Sequence, residues 1–188
     1  MPKIADLEWT PNPNARKFVL KEPLTYGISR SFENAAQAEG DELASKLFAI
    51  AHVTNVFYVD NWVTVTQDGQ ADWKELMREI ADPIRDAPAA EQQSGEFAEA
   101  AAWLAQDEDM SVSDRAKLEQ INELLDQEVR PYLQGDGGDL YVVGLEDGTL
   151  KVHYQGACGS CPSSISGTLA GIESLVRRID PELEVIAV

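Results

Sequence analysis

The sequence has little cysteine, little basic charge and no long apolar segment. Two cysteines in 188 residues are too few for a disulfide framework. Lys and Arg number 15 against 33 Asp and Glu, which gives a formal net charge of -18. Such a surface repels nucleic acid phosphates and anionic membranes, so neither is expected as a partner. No apolar run approaches the length of a membrane span.

The remaining composition is ordinary for a globular protein, with 44% hydrophobic and 26% charged residues. Residues 1–6 lack both the apolar core of a signal peptide and the Arg/Ser-rich pattern of a transit peptide. We therefore expect a cytoplasmic protein. In that reducing compartment, two cysteines more often bind metal or carry out redox chemistry than form a structural disulfide.

Both cysteines lie in one short stretch, residues 156–164, which reads Gly-Ala-Cys-Gly-Ser-Cys-Pro-Ser-Ser. Apolar and polar residues alternate before it, which predicts a strand, and apolar residues recur at helical spacing after it. Pro162 suits a first helical position because it has no N–H to lose there. The N–H groups and dipole of that helix favour thiolate over thiol. We therefore expect Cys158 and Cys161 as an exposed pair on a strand-to-helix loop.

Four interpretations of the pair remain open at this point. An iron–sulfur cluster needs four thiolates, of which this chain supplies half. A zinc site also needs four ligands, and His153 could be a third. A thioredoxin-like dithiol needs only Cys158 and Cys161. The pair could also have no role. The spacing favours a metal or cluster first and redox chemistry second.

The patterns predict an α+β protein of two small α/β-sandwich-like domains joined by an acidic linker. Residues 1–87 form the first domain, which has no cysteine. Its predicted elements are strands over 4–10 and 16–20, a helix from Asp41 to about Ile50, a hairpin over 55–66 and a helix from Asp72. Residues 88–110 carry six carboxylates and no Lys or Arg, which predicts a solvated tether with a helical turn near 97–104.

The second domain is predicted over residues 111–188. Ser113-Asp114 can cap a first helix, and Pro131 helps to end it. A Gly-rich turn over 134–139 leads into strands at 140–145 and 149–154. The cysteine loop, a second helix and a final strand over 183–188 follow.

Three other features have structural interpretations. Gly135 to Asp139 could bind an anion through successive N–H groups, but a turn with positive φ is the better interpretation. His52 stands alone in an apolar context, where a structural role is expected. Thr10 to Asn14 holds two prolines, which predicts a rigid turn between edge strands.

Several short motifs occur in a fixed order along the chain, and any one of them alone is weak. In the second domain they are Val129-Arg130-Pro131, Asp136-Gly137-Gly138-Asp139, residues 156–164 and Gly171-Ile172-Glu173, and in the first they are Thr10-Pro11-Asn12-Pro13-Asn14 and Lys17-Phe18. With these motifs, residues 113–188 resemble the NifU-like C-terminal domain of iron–sulfur cluster scaffold and carrier proteins of the Nfu type. Residues 1–87 resemble the N-terminal domain that precedes it in many such proteins.

The resemblance implies a carrier rather than an enzyme. Cys158 and Cys161, with the same pair from a second copy, would ligate a 4Fe–4S cluster, with 2Fe–2S possible. An upstream assembly scaffold would donate the cluster, and apo iron–sulfur proteins would receive it. The N-terminal domain would recognise these partners. The competing interpretation is a thiol–disulfide oxidoreductase that uses the same two residues.

Overall fold

The computed structural model describes residues 2–88, 90, 112–159 and 162–188. The chain divides into two compact units, Met1–Glu96 and Phe97–Val188, each with its own sheet and helices. The α+β class is therefore as predicted. The domain boundaries at residues 87 and 111 stay a prediction. Nearly all of the predicted linker, with its helical turn near 97–104, lies outside the described residues.

The first unit contains an antiparallel sheet of five strands in the order β1-β2-β5-β4-β3. Asp60 and Asn61 connect β4 to β5 as a tight turn, with Asp60 at a φ of 49°. This confirms the predicted hairpin. The strands are β1 Ile4–Trp9, β2 Ala15–Leu20, β3 Arg30–Phe32, β4 Val53–Val59 and β5 Trp62–Gln67.

Two helices complete the core of the first unit, α1 Glu42–Phe48 and α2 Trp73–Asp86. Both start where an aspartate was predicted to cap. The Asp41 carboxylate accepts from the Ala44 N–H at 2.8 Å, and the Asp72 carboxylate accepts from the Lys74 N–H at 2.7 Å. Apolar faces of both helices pack with one face of the sheet, and the core includes Phe18, Leu47, Val56, Val63, Val65, Leu76, Ile80 and Ile84.

The Thr10–Asn14 turn joins β1 to β2, and only β1 lies at a sheet edge. The prediction of a turn between two edge strands is thus half right. The short strand β3 was not predicted, because three residues are too few to show alternation.

The second unit has a three-stranded sheet of β6 Gly138–Glu146, β7 Thr149–Gly156 and β8 Glu184–Ala187. β6 and β7 form an antiparallel hairpin across Asp147 and Gly148, both of which have positive φ. β8 pairs with β7 in parallel, and the chain crosses between them through α5 Pro162–Val176. The cysteine loop is the connection from β7 into that helix.

The first helix of this unit, α3 Val112–Glu128, begins before the predicted cap at Ser113. A short helix that was not predicted follows directly, α4 Arg130–Gly135, with Pro131 in its first turn. α3 ends at Glu128, just before Pro131, as predicted, and Pro131 also lies in the first turn of the next helix, where a residue needs no N–H donor. None of the helices in the described ranges is long and apolar enough to cross a membrane.

The core of the second unit lies between the sheet and helices α3 and α5. Every second residue of β7 faces this core, as the alternation predicted. Cys158 belongs to the same core, directly beyond the end of β7. The other core residues include Leu118, Ile121, Leu125, Leu140, Leu150, Val152, Tyr154, Ile172 and Val176.

Candidate functional site

Backbone contacts fix the cysteine loop against the start of β6. Gly138 pairs with Gly156 at the end of the β6–β7 ladder. One residue further, the Ala157 N–H donates to the Gly137 carbonyl at 3.1 Å. Gly137 has a φ of 81°, the left-handed conformation that favours glycine. The Gly-rich run is therefore a turn, as predicted, and it also holds the cysteine loop.

Cys158 is buried, with 2% of its surface exposed. The sequence had predicted an exposed pair, so this expectation is wrong for Cys158. The reason is a close approach of the two backbones: a Cβ added at Gly138 would lie 2.7 Å from the Cys158 Sγ and 2.6 Å from the Gln155 carbonyl oxygen. Because Gly138 has no side chain, the thiol can turn inward. Cys161 lies outside the described residues.

Tyr154 lies beside Cys158 and links the strand before the loop to the helix after it. The Thr168 hydroxyl donates to the Tyr154 hydroxyl at 2.9 Å, which ties β7 to α5. Burial raises the pKa of Tyr154 above its ordinary value of 10.0, and the negative charge of a Cys158 thiolate raises it further. The tyrosine therefore stays neutral next to the loop.

The last residue of the Gly-rich run, Asp139, carries a buried carboxylate. Asp139 accepts from the Gln134 side-chain amide at 3.0 Å and from its neighbour's N–H, that of Leu140, at 2.8 Å. The guanidinium of Arg130 lies 3.9 Å away and also pairs with Asp126. Burial raises the pKa of Asp139 above its usual 3.8, and these partners offset only part of that effect.

Both histidines have partners other than Cys158 among the described residues. His153 lies on β7, where its Nδ1 is 2.7 Å from the Val188 carbonyl oxygen and its ring packs on Tyr141. His52 has positive φ and pairs with the Asp68 carboxylate at 3.0 Å, a structural role as expected. Within residues 2–88, 90, 112–159 and 162–188, no group of three or more His, Cys, Asp or Glu could hold a metal ion. The two cysteines are the only thiols in the sequence.

The Thr10–Asn14 turn of the first unit holds a buried arginine between two tryptophans. The Arg16 guanidinium lies 3.8 Å from the ring centre of Trp9 and 4.7 Å from that of Trp73. It donates to the Pro13 carbonyl at 3.1 Å, and the Trp73 indole N–H donates to the same oxygen at 3.1 Å. Burial lowers the pKa of Arg16 below its ordinary value. Trp9 is 76% exposed, so a rigidly backed indole faces the solvent.

Sequence reasoning missed the close approach of Gly138 to Cys158, the Tyr154–Thr168 bond and the stacking of Arg16. Alternation did place Tyr154 on the buried face of β7. The other two depend on strand register and on rotamers, which the residue pattern does not show. A glycine two residues before the predicted strand at 140–145 was the available signal for close backbone approach.

The chain thus combines an α+β unit that has no cysteine with a second unit in which a strand, a loop and a helix carry both cysteines of the sequence. Residues 4–91 match the family described as "Scaffold protein Nfu/NifU N terminal", and residues 121–186 match the "NifU-like domain" family. The chain belongs to this Nfu/NifU scaffold family. The recognition from residue motifs is thereby confirmed.

The human and Arabidopsis relatives agree with the family match. The human protein "NFU1 iron-sulfur cluster scaffold homolog, mitochondrial" is 36% identical over 93% of this chain and 67% of its own length. "NifU-like protein 4, mitochondrial" of Arabidopsis thaliana is 34% identical over 93% of this chain and 62% of its own. A NifU-like protein from Saccharomyces cerevisiae, solved by NMR, matches 47% of this chain and 84% of its own at 22% identity, with a TM-score of 0.41.

The expectation of a cytoplasmic protein is contradicted by these names. The human and Arabidopsis relatives are named as mitochondrial, which points to a mitochondrial rather than a cytoplasmic location. The expectation depended on the pattern of residues 1–6, which does not decide the location of the protein. The name of the human relative describes a scaffold homolog, and neither name describes an enzyme.

Proposed function

We propose that this chain binds an iron–sulfur cluster through Cys158 and Cys161 and transfers it to apoproteins. The observation that carries the proposal is the family match over residues 121–186, which includes both cysteines. The names of the relatives, iron-sulfur cluster scaffolds, support the same cargo. The thiol donors suit iron, since thiolates are the ordinary protein ligands of such clusters.

The cluster is a 4Fe–4S cluster shared between two copies of the chain. Four iron sites each need one outer ligand, and one chain offers two thiols. A two-fold axis brings two identical loops together through the same surface on each copy, which completes the ligand set. The helix that begins at Pro162 directs its first N–H groups to the loop, and they offset the negative charge of the cluster.

Sharing a cluster at a subunit boundary suits transfer. Bringing two copies apart exposes the iron sites to the thiols of a recipient, so no separate release step is needed. The donor is an upstream assembly scaffold, and the recipients are apo iron–sulfur proteins.

The first unit recognises these partners. The exposed Trp9, fixed from behind by Arg16, has the character of an interface anchor, because rigid aromatic side chains dominate binding energies. In the full chain, Trp9→Ala should slow cluster transfer to a recipient without lowering cluster content. Equal transfer rates would remove this role from Trp9.

Anaerobic reconstitution with iron and sulfide tests the proposed function. The expected product is coloured, with the Mössbauer spectrum of a 4Fe–4S cluster and one cluster for two chains. A chain that stays colourless contradicts the carrier proposal. The oxidoreductase alternative makes the opposite prediction, turnover in an insulin-reduction assay by the iron-free protein.

A further inference from the structure

Gly138 touches the cysteine thiol more closely than any side chain would allow. A Cβ at this position would lie 2.6 Å from the Gln155 carbonyl oxygen, 2.7 Å from the Cys158 Sγ and 2.9 Å from the Cys158 Cβ. Gly144, on the same strand, has nothing within 4 Å of the equivalent point. The missing side chain at Gly138 therefore makes room for both the Gln155 carbonyl and the Cys158 side chain, and glycine is not a general need of β6.

Strand pairing, a backbone hydrogen bond and close backbone approaches hold the cysteine loop on two sides. On one side, Gly138 pairs with Gly156, and the Ala157 N–H bonds to the Gly137 carbonyl at 3.1 Å. On the other, a Cβ at Gly159 would lie 2.8 Å from the Tyr154 carbonyl oxygen. These contacts enclose a small space that we name the thiol seat, formed by Gly138, Tyr154 and the Gln155 carbonyl.

We propose that Gly138 is a positioning residue for Cys158: it forms the floor of the thiol seat, in which the cluster-free chain holds this ligand buried. Cluster binding moves the thiol out of the seat. The second statement rests on the proposed function, whereas the first concerns the cluster-free chain alone.

Burial makes the movement necessary. An iron site must approach the Cys158 sulfur from an open side, and 2% exposure leaves none. The same burial protects the thiol, because alkylation and oxidation require an accessible thiolate. The cluster-free carrier therefore keeps one ligand inaccessible to oxidants until the loop opens.

Alkylation of iron-free, reduced protein with iodoacetamide tests the seat, with the Cys158 peptide followed by mass spectrometry. In native wild type, Cys158 should react at least about tenfold more slowly than in urea-unfolded protein, because a buried group reacts through rare opening. Gly138→Ala should speed the native reaction by about tenfold, since the added methyl displaces the thiol. Gly144→Ala, the matched control on the same strand, should react at the wild-type rate.

Several outcomes overturn the proposal. If wild-type Cys158 is alkylated within about twofold of the unfolded rate, it is not held buried in the thiol seat, whatever the variants do. A folded Gly138→Ala protein, verified by circular dichroism, that reacts like wild type denies the role of Gly138. If Gly144→Ala accelerates the alkylation of Cys158 equally, the effect is a general loosening of β6, and this also contradicts a specific role of Gly138.

Hydrogen–deuterium exchange at the Ala157 amide tests the movement. Exchange should accelerate in reconstituted protein, because leaving the seat breaks the bond to Gly137. Unchanged exchange in protein that has taken up a cluster overturns the movement but not the seat. If the protein takes up no cluster, both the proposed function and the movement are overturned. The alkylation rates of the iron-free protein still test whether Cys158 is buried in the thiol seat.

Discussion

The Ala157 N–H donates to the Gly137 carbonyl at 3.1 Å, one residue from the thiol of Cys158 on one side and one from Gly138 on the other. This bond joins the backbone of the Gly-rich run to that of the cysteine loop, although about twenty residues of hairpin separate them in sequence. A substitution that moves the backbone of one segment is therefore expected to move the backbone of the other.

The cysteines are expected to be individually essential for cluster binding. Cys158→Ala and Cys161→Ala should each abolish a stable cluster after anaerobic reconstitution, because each removes two of four ligands from a two-chain site. Iron and sulfide per chain, with visible absorbance, measure this. Ser174→Ala, at an exposed position of α5, is the control and should load normally. Full loading of either cysteine variant would remove that residue from the ligand set.

Serine is a less suitable replacement than alanine at residue 158. An exposed loop thiol would add little to packing, but Cys158 lies in the core of the second unit. Cys158→Ser buries a hydroxyl there and should lower the free energy of unfolding by roughly 1–3 kcal/mol. Urea unfolding of the iron-free protein checks this loss.

The Tyr154–Thr168 hydrogen bond should stabilise the second unit. Tyr154→Phe and Thr168→Val should each lower the free energy of unfolding by about 1 kcal/mol, the usual net value of such a bond. The double variant should lose less than the sum of the two, since both changes remove the same contact. Tyr132→Phe, at an exposed ring on α4, should cost nothing measurable. Additive losses would show that the two hydroxyls do not interact.

Arg16 should contribute most of the stability of the Thr10–Asn14 turn. Arg16→Lys keeps the charge but loses the planar group that stacks between Trp9 and Trp73, at a cost of roughly 2 kcal/mol. Tryptophan fluorescence during urea unfolding reports on this unit, because three of the four tryptophans lie in residues 1–87. Arg85→Lys, exposed on α2, is the control. Equal midpoints for the two variants would contradict the stacking role.

Asp139 should give a pH-dependent contribution to stability. Its pKa is raised in the folded chain, so the folded state binds the proton more tightly than the unfolded state. Its contribution to folding therefore becomes more favourable as the pH falls through the raised pKa toward the ordinary value of 3.8.

Comparison with Asp139→Asn isolates this effect. The free energy of unfolding of wild type, minus that of the variant, should increase from pH 7 toward pH values just above 4, as measured by urea unfolding and circular dichroism. Glu119→Gln, an exposed carboxylate on α3, serves as the control for general acid effects. A difference that decreases on acidification would contradict a raised pKa.

Sequence patterns were sufficient for the local elements of both units. Asp41 and Asp72 predicted their helix starts because an N-cap needs only a side-chain oxygen and the residues that follow. Alternation predicted β7, and Asp60-Asn61 predicted the first hairpin, since both are signals between near neighbours.

The site was predicted less completely, because its geometry depends on pairing between distant residues. The sequence identified Cys158, yet its burial follows from the register that sets Gly138 beside Gly156. That register is fixed by the whole hairpin, so no window around the cysteines could show it. The sequence also placed a helix end near Pro131 but did not predict the short helix α4 that follows.

The central claim is that two copies of this chain share one cluster through Cys158 and Cys161. Native mass spectrometry of reconstituted protein during titration with an iron chelator tests it most directly. The account predicts a dimer with one 4Fe–4S cluster at the start, and a dimer fraction that falls in proportion to the cluster until monomers remain. A monomer that carries a whole cluster, or a dimer that persists undiminished after the iron is gone, would contradict it.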